Sequence, residues 1–138
     1  SKLFIHIRDF GEKLFEEKSI NFRAFNEVKD KIKLPYGFSR EANLIFKEAM
    51  TNAFKSSQAK NVTLTLRRDE KSNFEMSFED DGIGFHTADI EKSNGLKNIY
   101  ERASRINAVL RIRSVKNEGT KIVLSFTLTK TLKYGLTV

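Results

Sequence analysis

The sequence predicts an α+β fold, a two-layer sandwich in which helices cover one face of a single β-sheet. Two stretches repeat apolar residues at helical spacing, and two pairs of strand-like stretches are separated by short turns. Strands that pair through hairpins bury their apolar face against amphipathic helices, which gives this architecture. At 138 residues the chain is long enough to bury one core but not two.

The helices are predicted from apolar residues that recur every three or four positions. A first helix spans residues 2–18, a second spans residues 40–57 with a possible N-cap at Ser39, and a third begins at Gly95. The second helix is the most regular, and its apolar stripe consists of Ala42, Ile45, Phe46, Ala49, Met50, Ala53 and Phe54.

The strands are predicted from alternation of apolar with polar residues. One strand lies in residues 20–28, and the others centre on residues 62–66, 74–78, 110–112 and 122–128, with hairpin turns at 69–73 and 116–119. We therefore expect an N-terminal helix over residues 1–18, one domain over 19–129 and a tail over 130–138. Because the first residue is Ser rather than Met, we expect a fragment whose helix continues from a missing dimerisation segment.

Composition narrows the possible functions. The absence of cysteine excludes disulfides and thiolate chemistry, and the presence of only two histidines argues against a multi-histidine metal site. No apolar run approaches the roughly 20 residues of a membrane helix, so we expect a soluble domain. The net charge of +7 leaves nucleic-acid binding open, but the basic residues are scattered and favour a solvated basic surface.

The stretch from Phe74 to Phe85 carries the clearest functional signal. Phe74, Met76 and Phe78 share one face of a strand, and continued alternation places Asp80 on that apolar face. A buried carboxylate without a partner is unfavourable by several kcal/mol, on the order of the penalty for an unpaired charge. The chain then enters residues 81–84, where glycines allow close backbone approach. An inward acid followed by a pliable loop predicts a ligand site.

A second candidate lies on the polar face of the second helix. Glu48, Asn52 and Lys55 are spaced so that their side chains follow one another along one side. Taken alone, the pattern is also typical of an ordinary solvated helix face.

Four motifs then occur in the order of a known family. Residues 80–85, DDGIGF, resemble the DxGxGF box of the ATP-binding fold shared by sensor histidine kinases, type II topoisomerases, Hsp90 chaperones and mismatch-repair ATPases. Residues 48–55 resemble the ExxxNxxK asparagine box, 94–103 the second glycine box GxGLxNIxxRA, and 119–120 the closing GT element. Within the second glycine box, residues 98–103, NIYERA, resemble the NIxxRA pattern of the sensor kinases in particular. The resemblance implies the Bergerat fold, with a mixed and mostly antiparallel sheet and helices on one face.

The resemblance implies roles for five side chains. Asp80 would accept a hydrogen bond from the exocyclic amine of adenine, and Thr120 would support that contact directly or through a water. Asn52 would bind Mg²⁺ through its side-chain carbonyl, a hard oxygen ligand. Lys55 would supply positive charge to the phosphates, and Glu48 would orient a water or the attacking group.

It also implies a phosphate-binding backbone. Gly82 and Gly84 allow the loop to approach the nucleotide, and Asn94, Gly95 and Leu96 form the second glycine box. Gly95 at a helix start exposes free N–H groups to phosphates.

The function implied is that of the catalytic ATP-binding domain of a two-component sensor histidine kinase. Mg-ATP would phosphorylate a histidine on a separate dimerisation domain, and a response regulator would receive the phosphoryl group. Residues 86–94 would form a lid. His6 lies in no acceptor motif and His86 reads as a surface loop residue, so we expect the acceptor histidine outside this chain.

The expected setting follows from the same resemblance. We expect a cytoplasmic domain without direct membrane contact or nucleic-acid partner, in a homodimeric, membrane-anchored parent. Two departures from the family pattern, Ser56 for a common histidine and Ser93 for the first glycine, support an alternative. That alternative is a nucleotide-binding regulatory module of the same fold that has lost catalysis; a basic nucleic-acid-binding domain is a third hypothesis.

Overall fold

The computed structural model describes residues 2–56, 58–69, 73–84 and 94–128. These residues form three helices and five strands, in the order predicted from the sequence. The elements are α1 (Lys2–Glu16), β1 (Asn21–Asn26), α2 (Phe38–Ser56), β2 (Asn61–Arg68), β3 (Asn73–Asp80), α3 (Asn94–Arg105), β4 (Val109–Val115) and β5 (Gly119–Thr127).

The strands form one mixed sheet with the order β1-β2-β3-β5-β4. β1 pairs with β2 in parallel, which requires a long crossover connection and explains why α2 lies between these strands. The other neighbours, β2 with β3, β3 with β5 and β5 with β4, are antiparallel. The predicted α+β fold with a mixed, mostly antiparallel sheet is confirmed.

The cross-strand register aligns the apolar positions into one buried face. Leu64 pairs with Phe78, which pairs with Ile122, and all three are buried. Because side chains alternate across a strand, one such row fixes which residues of each strand face the helices. The intervening polar residues lie on the opposite face.

Helix α1 is part of the same core. Phe15 is fully buried, and its ring packs 5.8 Å from the ring of Phe22 and 5.9 Å from that of Phe78. Gly11 explains the close packing, since a Cβ at this position would lie 2.8 Å from the Phe22 ring. Gly11 therefore allows α1 to pack closely against β1, and it does not mark the end of the helix.

Several local boundaries differ by a few residues from the sequence-based expectations: α1 ends at Glu16 and not at residue 18, and α3 begins at Asn94 and not at Gly95. Two other differences have a clear local cause. Ser39 is not the N-cap, because α2 already begins at Phe38. Gly37 precedes it with a φ of +82°, and its carbonyl accepts the first hydrogen bond, from Glu41, at 3.3 Å. β1 ends at Asn26, whose side-chain oxygen accepts a hydrogen bond from the Val28 amide at 2.9 Å and turns the chain.

Two predicted features, the tip of the turn at 69–73 and the tail at 130–138, lie outside the described residues. Of the helices that are described, none has both the length and the apolar content needed to span a bilayer.

We predict that Phe15→Ala lowers the free energy of unfolding by about 3–5 kcal/mol, the range for removing a buried aromatic ring. Phe25→Ala is the control, because Phe25 is 50% exposed on β1 and its loss should be below about 1 kcal/mol. Urea-induced unfolding measures both. A small loss in Phe15→Ala would mean that α1 does not belong to the core.

Candidate functional site

Asp80 is the last residue of β3, and its side chain is only 7% exposed. It lies on the buried side of the strand, as the alternation with Phe74, Met76 and Phe78 predicts. In the sheet it pairs with Val62 of β2 on one side and Thr120 of β5 on the other. The carboxylate is therefore held at the end of the apolar face of the sheet.

Burial raises the pKa of Asp80 above its ordinary value. Hydrogen bonds from the backbones of Gly82 and Thr120 oppose this effect, whereas the neighbouring charges of Asp81 and Glu79 add to it. The Gly82 amide donates to Oδ1 at 2.8 Å. Within the described part of the chain no cationic side chain pairs with Asp80. Since an ionised carboxylate offers about four acceptor sites, it retains capacity for a donor from a ligand.

Thr120, which pairs with Asp80 across the sheet, has its hydroxyl group within hydrogen-bond distance of another hydroxyl group. Its Oγ1 lies 2.8 Å from Oγ of Ser114, a residue of β4 that is 9% exposed. Ser114 also donates to the carbonyl of Gly119 at 3.3 Å. The sequence analysis missed Ser114, although its signal resembles that of Asp80: a polar residue continues the buried alternation of Leu110 and Ile112.

At two positions near Asp80 the backbone approaches another carbonyl so closely that only glycine fits. Gly119 has a φ of +104°, and a Cβ there would overlap the carbonyl of Asp80. Gly84 has a φ of +65°, and a Cβ there would overlap the carbonyl of Val115. Gly82 is buried and contributes its amide to Asp80. The loop after β3 is thus packed against the β4–β5 turn.

The three polar residues of the asparagine box lie on α2. Asn52 and Glu48 are partly buried and Lys55 is exposed. α2 packs against β3, which carries Asp80, and against α3, whose first turn contains Gly95. The helix that carries Asn52 therefore contacts both other elements of the predicted site.

Helix α3 begins at Asn94, so Asn94 and Gly95 lie in its first turn. Leu96 is 8% exposed and belongs to the hydrophobic core, which leaves its backbone as the group available to a ligand. Free N–H groups at a helix start favour anions. This is the position that the second glycine box predicts for phosphate contacts.

An ion pair that the sequence analysis did not identify fixes α3 on α2. Nη1 of Arg102, within the second glycine box, lies 3.1 Å from Glu41, and Nη1 of Arg105 lies 3.7 Å from the same carboxylate. Glu41 is in the first turn of α2 and both arginines are in the last turn of α3. These are the helix ends at which each charge is favourable, but spacing along the chain does not reveal the pairing.

Some predicted features are not described. Residues 86–93 of the predicted lid, including His86 and Ser93, lie outside the described residues, as does Phe85. Among the residues that are described, no three His, Cys, Asp or Glu side chains come together as a metal cage. A Mg²⁺ ion here would need oxygen ligands from phosphates and water in addition to the protein, which is its common mode of binding.

The sequence model of the family described as histidine kinase-, DNA gyrase B-, and HSP90-like ATPase matches residues 37–131. The chain belongs to this family. The match includes all four motifs, and it confirms the family predicted from them.

Two of the similar proteins are sensor proteins. Sensor protein VraS of Staphylococcus saprophyticus is 31% identical to the domain over 83% of this chain and 33% of that protein. Sensor protein VraS of Staphylococcus aureus strain COL is 29% identical over 96% of this chain and 41% of that protein. The chain thus spans 33% and 41% of the length of these two relatives.

Solved structures support the fold. The histidine kinase domain of the blue-light activated histidine kinase from Erythrobacter litoralis EL346 superimposes with a TM-score of 0.76 at 16% identity. The superposition covers 91% of this chain and 60% of that one. The mycobacterial sensor histidine kinase MprB gives a TM-score of 0.67 at 17% identity, covering 88% and 91%. These superpositions show the fold, and the family match together with the VraS relatives confirms the predicted histidine kinase-type ATPase domain.

We predict that Asp80→Asn makes the nucleotide-free domain more stable at pH 7, by on the order of 1 kcal/mol. The folded-state pKa of Asp80 is raised. The wild type therefore has its full stability below the pKa that Asp80 has in the unfolded state, and it loses stability as the pH rises from there through the folded-state pKa. The gain in Asp80→Asn should therefore shrink as pH falls towards 4. Unfolding in urea between pH 7 and pH 4 measures the difference.

Asp9→Asn, whose side chain is exposed on α1, is the control and should change the stability at pH 7 by less than about 0.5 kcal/mol. If Asp80→Asn were less stable than the wild type by the same amount at every pH, the buried carboxylate would not be the source of the effect.

Proposed function

We propose that the domain binds Mg-ATP and supplies its γ-phosphoryl group to a histidine on a separate domain of a two-component sensor kinase. One observation carries this proposal: a buried carboxylate, Asp80, whose described partners are backbone N–H groups and not a cation. An acid in such surroundings is suited to a ligand that brings its own N–H donors. Family membership supports ATP as that ligand.

Asp80 would accept a hydrogen bond from the exocyclic amine of adenine. Thr120 is its neighbour across the sheet, and the contact with Ser114 restrains the Thr120 hydroxyl beside the same end of the strand. This hydroxyl would hold the water or ring nitrogen next to Asp80. Specificity for adenine would follow because a base without an amine at that point leaves the buried acid without its donor.

The phosphates would lie between α2 and the start of α3. Asn52 would hold Mg²⁺ through its side-chain oxygen, Lys55 would neutralise phosphate charge, and Glu48 would orient the attacking group. A Mg²⁺ ion held there would supply charge neutralisation to the phosphoryl oxygens. The backbone around Gly95 would donate N–H groups to the phosphates, with Asn94 and Leu96 on either side.

The acceptor and the remaining partners would lie in the rest of the parent protein or outside it. We propose a homodimeric, membrane-anchored parent in which this domain is cytoplasmic, a dimerisation domain carries the histidine and a response regulator receives the phosphoryl group. The sensor proteins that resemble the chain support this arrangement.

A second candidate function is a regulatory module that binds nucleotide without catalysis. Ser56 and Ser93, at positions where related kinases commonly have histidine and glycine, favour this alternative. The phosphate contacts, not the adenine contacts, would be the ones affected.

We predict that calorimetric titration with a non-hydrolysable ATP analogue gives binding that Asp80→Asn weakens by 100-fold or more, roughly the loss of a charge-assisted hydrogen bond inside a buried site. Asn52→Ala should lose mainly the part of the affinity that depends on Mg²⁺, so titrations are run with Mg²⁺ and with EDTA. Asp9→Asn is again the control. Equal binding by all four proteins would contradict the site assignment.

We predict that the domain in the full-length parent transfers radiolabel from [γ-³²P]ATP to a histidine, and that the isolated domain labels itself little. Acid-labile, base-stable label identifies phosphohistidine. Glu48→Gln in the parent should bind ATP normally and lose transfer about 100-fold or more, since orienting the attacking group affects the reaction and not binding. Nucleotide binding with no transfer in the wild-type parent would favour the regulatory module.

A further inference from the structure

The residue after Asp80 has a separate set of contacts. The side chain of Asp81 is exposed, and its Oδ1 accepts hydrogen bonds from the backbone N–H groups of Lys60 at 2.8 Å and Asn61 at 2.9 Å. Oδ2 accepts a third from the side-chain amide of Asn61 at 2.8 Å. The Asp81 amide donates back to the Asn61 carbonyl at 3.2 Å. Asp81 therefore joins the end of β3 to the start of β2.

The charge of Asp81 suits these donors. Partial burial raises the pKa of Asp81, but the hydrogen bonds from Asn61 and Lys60 outweigh burial and lower it below its ordinary value. The carboxylate is ionised at neutral pH, and charge-assisted hydrogen bonds of this kind are stronger than neutral ones.

The contacts extend to a third strand. Oδ1 of Asn61 accepts a hydrogen bond from the side-chain amide of Asn21 at 3.0 Å, and the Asn21 amide donates to the Lys60 carbonyl at 2.9 Å. Asn21 begins β1 and Asn61 begins β2. The starts of two parallel strands and the end of β3 are thus connected at one end of the sheet.

The other end of the same short loop is also attached. The Ile83 carbonyl accepts a hydrogen bond from the amide of Asn117, and Gly84 packs against the carbonyl of Val115. Between these attachments lies Gly82, whose amide donates to Asp80. A segment of four residues is therefore fixed on one side to β2 and on the other to the β4–β5 turn.

We propose that Asp81 is a positioning residue for nucleotide binding: by holding the chain to Lys60 and Asn61, it sets where the Asp80 carboxylate and the Gly82 amide lie. This inference rests on the proposed nucleotide site. Asp81 itself does not touch the nucleotide. It lies just beyond the end of β3, where its exposed carboxylate is bound by Lys60 and Asn61, whereas the carboxylate of Asp80 is buried.

The same hairpin provides a matched control at its other end. Asp69 is also an exposed aspartate next to β3, and it accepts hydrogen bonds from the backbone amide of Asn73 at 3.3 Å and from its side-chain amide at 2.9 Å. Both aspartates connect the ends of β2 and β3, but only Asp81 borders the predicted site. A purely structural role predicts similar consequences for the two.

The test compares the dissociation constant for the ATP analogue with stability in Asp81→Ala and Asp69→Ala. Asp81→Ala should raise the dissociation constant about tenfold or more, while Asp69→Ala stays within about twofold of the wild type. In the nucleotide-free protein, amide hydrogen exchange at Gly82 should accelerate in Asp81→Ala and not in Asp69→Ala, which reports the loop directly.

A paired exchange tests the contact itself. Asp81→Asn keeps an oxygen for the two backbone N–H groups but turns an amide towards the amide of Asn61, so binding should weaken. Adding Asn61→Asp restores a donor opposite an acceptor and should recover most of the affinity. This pair also covers the case in which Asp81→Ala does not fold.

The outcomes separate the two proposals. If the wild type binds the analogue and the Asp81 variants bind it equally well, the positioning role is overturned, whatever their stability. If Asp69→Ala weakens binding as much as Asp81→Ala, the role is likewise overturned, since the effect is then general to the hairpin. If the wild type itself does not bind the analogue, the proposed function fails, and the inference fails with it.

Discussion

The candidate site of this domain depends on a carboxylate placed on the apolar face of its sheet. The position is dictated by strand geometry, because Asp80 continues the alternation that buries Phe78. Burial disfavours the charged form, and backbone N–H groups of Gly82 and Thr120 offset only part of this, so the pKa stays raised. The fold tolerates an unfavourable group at the point where a ligand with its own donors would make it favourable.

The backbone that carries this carboxylate is held by neighbouring strands. β3 has a strand on either side, and its last residue pairs with Val62 and Thr120. Gly119 allows its chain to approach the Asp80 carbonyl more closely than any other residue could. A site held by a central strand needs little rearrangement to accept a ligand, which is the condition for strong and specific polar contacts.

Helices α2 and α3 carry the other part of the candidate site, the asparagine box and the second glycine box. α1 is packed into the core through Phe15 and supports α2 from one side. Glu41 holds Arg102 of α3 from the other side. This ion pair gives a structural role to the arginine of the second glycine box, because it joins the last turn of α3 to the first turn of α2. Partly buried pairs of this kind contribute more to geometry than to net stability.

The sequence by itself determined the class of fold, the number and order of elements and the inward direction of Asp80, because periodicity reports which face of an element is apolar. The family motifs added the candidate site residues, and the family is confirmed, but their roles remain predictions. The same reasoning applied to β4 would have identified Ser114.

Only the tertiary structure decided which elements and side chains meet. The parallel pairing of β1 with β2, the contact of Arg102 with Glu41 and the binding of Asp81 by Lys60 and Asn61 all join residues distant along the chain. Periodicity cannot predict such partners, because it describes the face of one element and not its neighbour. The partner is set by cross-strand register and helix packing, which exist only once the whole core has formed.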